Sequence, residues 1–282
     1  MVKNKRAIIL TGSELRHDYM RMALALFDGL DIIASYCEGS SQSLGNRLGR
    51  QESPSVLQKK HVAAREQSEK DFFESFVDIA PDYSNPIFVK KGDINVPEIQ
   101  QQIIDEKPDV LLCYGSSLIK GGLISAFEGQ FLNAHLGLSP YYRGSGTNFF
   151  AMVNGALECV GVTFMYLDAG IDTGQIIHQY RARIFPGDSP HQIGNRLITD
   201  IPHIYAQIAC NINDLPLMPE LKATQADCKL YKRADFTEEM TERLYANFDA
   251  GLVENYLKNC SERIAAKPIV QNPALEKLQE TA

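Results

Sequence analysis

The sequence predicts an α/β chain: a Rossmann-like, mostly parallel sheet with helices on both faces, followed by a small C-terminal helical extension. Three observations carry this reading. Short, nearly continuous apolar runs recur along the chain, among them RAIILT (6–11), DVLLCYG (109–115) and FLNAH (131–135), as strands buried on both faces require. Segments with helical apolar spacing separate these runs, which implies right-handed crossovers between parallel strands. With 282 residues, 44% of them hydrophobic, the chain is long enough to bury a full core.

Taken in order, the first strand is followed by a helix over 15–27 and by DIIASYC (31–37) as a second strand. The Gly/Ser-rich stretch 38–55 reads as an ordered loop or a mobile flap. A long amphipathic helix is expected over about 56–77, a strand at IFVKKG, and a further helix near 96–106. The strand 109–115 and the short helix LISAF then lead to FLNAH. Past it, a helix covers 147–154. CVGVTFMYL (159–167) and QIIHQYRARI (175–184) read as two strands joined by DAGIDTG, an antiparallel pair at the sheet edge. Asp188-Ser189-Pro190 opens a helix to about residue 213, with Ser or Asp as its N-cap. After DLPLMPELK the tail holds a strand-like KLYKR and a helix opened by Phe236-Thr237-Glu238-Glu239, whose Met240, Leu244 and Phe248 recur four apart. The division expected is 1–212 for a main domain and 213–282 for an extension, without internal repeats.

Bulk properties exclude some functions. A net charge of −7 argues against a broad nucleic-acid surface, because such affinity is mostly cationic. No apolar run approaches the ~18 residues of a membrane span, and the apolar stretch near the start is too short for a signal peptide. The six cysteines are scattered with no C-x-x-C pair, which suits a reduced, cytoplasmic chain.

The chemistry concentrates in NAHLGLSPYYRGSG (133–146). Asn133 and His135 are two apart, so on an extended chain their side chains point the same way. They close a strand, where open α/β sheets bind ligands. Asp172, the second acid of DAGIDTG, joins them as a candidate. An Asn amide can donate to a developing oxyanion, a His can exchange a proton near neutral pH, and a carboxylate raises and orients the imidazole. This suits acyl transfer to an amine. No G-x-S-x-G motif and no Cys placed with the His point to a covalent acyl-enzyme. An Asn and a His after a strand, and Asp-Thr-Gly, are also common turn formers.

FLNAHLGLSP-YYRG-SGTN followed by GVTFMYLDAGIDTGQII resembles the folate-dependent formyltransferase family, which includes glycinamide ribonucleotide, methionyl-tRNA and sugar N-formyltransferases. The resemblance runs from about Lys5 to Tyr205 and rests on N-x-H, a Leu/Ser-Leu-Pro loop and a later D-x-G segment. It implies a formyltransferase-type sheet, a catalytic set of Asn133, His135 and Asp172, and 10-formyltetrahydrofolate as the formyl donor. It further implies a pterin cleft walled by Ser117, Leu118 and Ile119 on one side and by Asp168, Ala169, Gly170 and Ile171 on the other. Leu118 and Ile119 equally fit the core of a short helix, and Asp168 a loop cap.

Departures narrow the acceptor. Gly137-Leu138-Ser139-Pro140 stands where the family often has Ser-Leu-Leu-Pro. The first turn TGSELRH lacks the glycinamide enzyme's Gly-rich phosphate cradle, and the tail is shorter than the tRNA enzyme's barrel domain. The acceptor expected is therefore a primary amine of a small molecule, with a nucleotide-linked amino sugar fitting best. Nucleic acid and membrane are not expected as partners, no metal is implied, and a homodimer is left open. Arg16, His17, His61, Arg65 and Arg143 are the candidate acceptor-binding residues, with Glu66 and Glu69 on the helical face of His61; His178 and His191 read as structural. Hydrolysis of the same donor, or non-catalytic folate binding, are the competing readings.

Overall fold

A computed structural model describes residues 4–40, 45–46 and 55–275; most of the expected 38–55 flap lies outside the described residues. The chain opens with β1 (Lys5–Gly12), α1 (Leu15–Leu24) and β2 (Leu30–Glu38). A helical stretch follows: α2 (Val56–Glu69), a π-helical turn over Lys70–Glu74, and α3 (Ser75–Ile79). One uninterrupted amphipathic helix was the expectation for 56–77. The wider turn instead carries the fully buried Phe73, whose ring lies 4.8 Å from Tyr19 of α1, a packing gain that offsets the poorer π geometry.

Then come β3 (Pro86–Val89), α4 (Pro97–Asp105), β4 (Val110–Tyr114), α5 (Gly122–Ala126), β5 (Phe131–His135), β6 (Tyr142–Gly144), α6 (Thr147–Val153), β7 (Gly161–Tyr166), β8 (Ile176–Arg181) and α7 (Pro190–Cys210). Ser189 caps α7 by accepting from the Gln192 N–H, and Gln192 reaches back to the Ser189 N–H, satisfying two donors the first turn would orphan. The tail adds β9 (Lys229–Tyr231), α8 (Glu238–Asp249, capped by Thr237), α9 (Leu252–Lys258) and α10 (Cys260–Ala266).

Seven strands form one sheet in the order β3-β2-β1-β4-β5-β7-β8. The first five in that order run parallel, and β7 pairs antiparallel with both β5 and β8, as the DAGIDTG connection requires. The period-2 alternation of β1 splits its side chains between two cores. Ala7 and Ile9 join Met20, Leu24 and Leu112 on one face; Ile8 and Leu10 join Ile94, Ile103 and Leu123 on the other. Tyr205 of α7 lies fully buried, and its hydroxyl contacts the Cys113 N–H and O at 3.0 and 3.1 Å and the Leu132 O at 2.9 Å. It thereby locks β4 to β5 where the register sets Cys113 beside Asn133.

Among the described residues no helix is long and apolar enough to cross a membrane. All six cysteines are free thiols, and burial pushes Cys37 and Cys113 up to about 11, the state of core filler.

Candidate active site

A cleft of about 720 Å³ opens beyond the carboxyl ends of β1, β2, β4 and β5, with Asn133, His135 and Asp172 all in its lining. His135 and Asp172, 37 residues apart in sequence, meet there because β7 returns antiparallel beside β5, pairing His135 with Thr163. The loop after β7 then brings Asp172 back over the strand end. Asp172 sits at φ +50, a left-handed conformation that a non-glycine residue holds only when its surroundings fix it. They do: one carboxylate oxygen accepts the Gly144 N–H at 2.8 Å and the other lies 3.3 Å from His135 Nδ1. Gly174 is obligatory nearby, since a Cβ there would lie 1.7 Å from the Tyr166 carbonyl oxygen.

His135 Nε2 faces the Tyr142 carbonyl at 3.2 Å, so both ring nitrogens look at acceptors. Burial pulls the imidazole below its usual value, while the Asp172 carboxylate and the Tyr142 carbonyl pull it back up. Asn133 is half-buried, faces the same cleft, and its side chain makes no hydrogen bond among the described residues. A free amide beside a carboxylate-oriented imidazole can bind an oxyanion while the ring moves a proton. The departure at Gly137 has a reason as well. A Cβ at that position would lie 2.8 Å from His135 Nε2 and 2.5 Å from Thr147 Oγ1.

The two segments expected to wall a donor both border the cleft. Residues 116–120 form an irregular loop before α5, not a helix, with Ile119 buried in the core and Leu118 exposed along the cleft. This loop is held by Glu38, which the sequence reading passed over. Its fully buried carboxylate takes the Ser117 N–H at 2.5 Å, the Gly92 N–H at 2.7 Å and Lys91 Nζ at 2.9 Å. The loops that follow β3 and β4 thus both hang on one carboxylate at the end of β2. On the opposite side Asp168 closes its own loop, accepting from Gly170 N–H and Thr173 Oγ1; Gly170 and the exposed Ile171 line the cleft, whereas Ala169 is exposed outside its lining.

The acceptor candidates divide. Arg16 and Arg65 line the cleft but are already paired with Glu14 and Glu69, which leaves no free charge for an anion. His17 lines the cleft but brings no charge to it. Its Nδ1 accepts the Glu14 N–H at 3.1 Å, and its ring packs against Gly12, Gly115 and Tyr114. Burial and the nearby Arg16 hold it well below its usual range, so it stays neutral. Arg143 lies on β6 outside the lining, its Nε buried without a partner. Glu66 is exposed and turned away. His61 does reach the cleft, and so does His191, which was read as structural; their rings lie 4.8 Å apart. The tail supplies Lys232, Arg233, Phe236 and Leu244 to the same wall, an outcome that no spacing in the sequence encodes.

Comparison with known proteins shows the family. The formyl transferase family model matches residues 39–208, which include β5, the 133–146 loop and Asp172. A methionyl-tRNA formyltransferase from Desulforamulus reducens is 36% identical over 124 residues, 43% of this chain and 38% of that protein. One from Chlorobium chlorochromatii is 25% identical over 176 residues, 62% of this chain and 53% of its own length. The matches therefore span less than two thirds of these relatives. Among solved structures, phosphoribosylglycinamide formyltransferase from Anaplasma phagocytophilum superposes with a TM-score of 0.52 at 15% identity, covering 82% of this chain and all of that one. A Mycobacterium tuberculosis protein described as a candidate sugar N-formyltransferase gives 0.50 at 19%, covering 82% and 77%. Structures this distant speak to the fold alone, but the family model covers more than half of the sequence, and with it the chain belongs to the formyl transferase family.

Proposed function

We propose that this protein transfers a formyl group to a primary amine of a small molecule, with Asn133, His135 and Asp172 as the catalytic set. The observation that carries the reading is the convergence of the carboxylate-bound imidazole and the unpartnered Asn133 amide on one cleft. 10-Formyltetrahydrofolate would supply the formyl carbon as co-substrate. Asn133 donates to the formyl oxygen as negative charge gathers there, and this aimed donor is worth more in a water-poor cleft than in solvent. His135 takes the proton the attacking nitrogen must lose as the new C–N bond forms. It returns that proton to the folate nitrogen as the old C–N bond breaks, leaving tetrahydrofolate and a formamide. Asp172 keeps the ring oriented and supports its charged form.

The 117–119 loop and the 168–171 loop are the donor walls we infer, with Ser117 held by Glu38. For the acceptor, an amino sugar linked to a nucleotide is favoured by two features. The Arg16–Arg65 cluster is neutralised by its own carboxylates, and Lys232 and Arg233 bring two exposed cations to the tail side of the cleft. The net charge of −7 disfavours a tRNA. We place the protein in the cytoplasm, where free thiols persist.

The test is release of tetrahydrofolate, with mass spectrometry of the amine product, for amino sugars, charged tRNA and no acceptor. Acceleration by an amino sugar is expected. Fast release without acceptor would favour hydrolysis, and acceleration by tRNA alone would replace the acceptor assignment.

A further inference from the structure

Five rings from four parts of the chain form a box along the same cleft. His61 of α2 lies 5.7 Å from Phe149, 5.8 Å from Phe236 and 4.8 Å from His191. Phe149 and Phe236 are themselves 4.9 Å apart. Tyr245 of α8 stands behind the two imidazoles. Its hydroxyl is 3.1 Å from His61 Nδ1 and, more weakly, 3.5 Å from His191 Nε2. His61 is 4% exposed and lines the cleft, as does His191. Neither His61 Nε2 nor His191 Nδ1 has a partner among the described residues.

One hydroxyl proton decides what this arrangement offers. If Tyr245 donates to His61, then His61 carries its proton on Nε2, and His191 completes the chain by donating its own Nε2–H to the Tyr245 oxygen. The cleft then meets a donor on His61 and an acceptor on His191. If Tyr245 donates to His191, the two roles exchange. In both arrangements the pair presents one donor and one acceptor. Both rings are neutral in this setting. Burial, with His191 and Arg65, holds His61 down at about 3, and burial with Arg65 holds His191 at about 4. The box offers hydrogen bonds and no charge. Among the described residues no three metal-ligating side chains gather there.

We propose that His61 and His191, aligned by Tyr245 as a positioning residue, are the subsite that selects the acceptor by its hydroxyl-bearing ring. Phe149 and Phe236 form the apolar walls against that ring's C–H faces. The inference rests on the formyl-transfer reading above and adds the chemical feature that this end of the cleft selects. A hydroxyl both donates and accepts, which is what the pair needs. A bare hydrocarbon ring would strand two desolvated nitrogens, and sites built to hydrogen-bond a hydroxyl reject analogues lacking it strongly. The wall that completes the box comes from the tail, so residues beyond 228 set acceptor choice while β5 sets the chemistry.

The experiment compares amino hexoses, free and linked to nucleoside diphosphates, with cyclohexylamine, a six-membered ring amine without hydroxyls. In the wild type kcat/KM for the best amino hexose should exceed that for cyclohexylamine by about 100-fold or more. Tyr245→Phe keeps the ring in place and removes the hydroxyl. It should raise KM for the amino hexose about tenfold, with the effect falling on that KM and not on kcat or the donor KM. His61→Gln, which retains a donor and an acceptor, should lie between. Equal use of cyclohexylamine and every amino hexose would overturn the proposal, as would a Tyr245→Phe effect spread evenly over all amines and the donor. If no amine is formylated, calorimetric titration of the tetrahydrofolate-saturated protein with the same panel decides. Binding of an amino hexose that Tyr245→Phe weakens upholds the subsite and faults only the transfer reading; no heat with any member sinks the subsite. Loss of tetrahydrofolate binding as well would remove the transfer reading on its own account.

Discussion

Two histidines share this cleft, and both are more than nine-tenths buried: His135 at 8% exposure and His61 at 4%. Burial lowers both imidazoles. What separates them is the company each keeps. His135 has a carboxylate on one nitrogen and a carbonyl on the other, so the charged ring is partly restored. His61 has a phenol on one nitrogen and no carboxylate, and burial with His191 and Arg65 as neighbours holds it down at about 3. On the roles proposed above, the same side chain is a proton carrier beside a carboxylate and a fixed hydrogen-bonding group beside a phenol. Partner charge decides the role, and depth of burial does not.

The largest expected effect breaks the catalytic end of that comparison. His135→Ala should lose about 10²–10⁴ in turnover, the usual scale for a general base, while tetrahydrofolate binding by calorimetry stays intact. Turnover kept within a few-fold would remove the ring from the reaction. Next in size, Asp172→Asn takes away the charge that separates His135 from His61. Losing a neighbouring anion lowers the imidazole pKa further, so the acid limb of the pH–rate profile should move to lower pH, with turnover down about ten- to a hundredfold. An unmoved limb would mean that Asp172 only shapes its loop.

The difference between the two histidines was only half legible in the sequence. Asn133 and His135 could be found because strand periodicity puts i and i+2 on one side at a strand end, and the N-x-H…D-x-G order adds Asp172. Strands and crossovers were legible for the same reason, as their apolar runs are local. The place of His191 in the cleft, and the contacts of Tyr245 and Glu38, were not legible, because they join residues 54 to 184 positions apart in the chain. A His near a helix start carries no local mark of facing a cleft. Leu118 and Ile119 fitted a cleft wall or the core of a short helix equally well; the Ser117 N–H is spent on Glu38 and the segment stays open.

Glu38 offers a third, smaller test, on the donor side of the cleft. Glu38→Gln keeps the volume but turns an NH2 toward one of three donors, the Ser117 and Gly92 N–H groups and Lys91. An unsatisfied buried donor costs about 1–3 kcal/mol. The 116–119 loop should loosen, and tetrahydrofolate should bind several-fold more weakly by titration, with acceptor selectivity unchanged. A selectivity change without a donor effect would mean that Glu38 serves the acceptor end and not the loop.

The smallest effect concerns stability, and it sharpens the contrast between the two imidazoles directly. His61 titrates in the fold at about 3, and His178 and His191 at about 4, each from an ordinary 6.5. A folded value below the unfolded one means that the unfolded chain binds more protons between the two. Stability is then full above 6.5 and declines as pH falls toward the folded values. Each such histidine can cost at most about 1.4 kcal/mol per pH unit across that window, and less for His61 and His191, which border solvent in the cleft. Denaturant midpoints should therefore fall steadily from pH 6.5 to 4. His61→Asn, which cannot be protonated, should flatten part of that slope. His135→Ala should flatten it less, because Asp172 and the Tyr142 carbonyl already accommodate a charged ring there. Equal flattening by both variants would show that the two sites do not differ in how they hold a proton, and the division of labour drawn from their partners would fall with it.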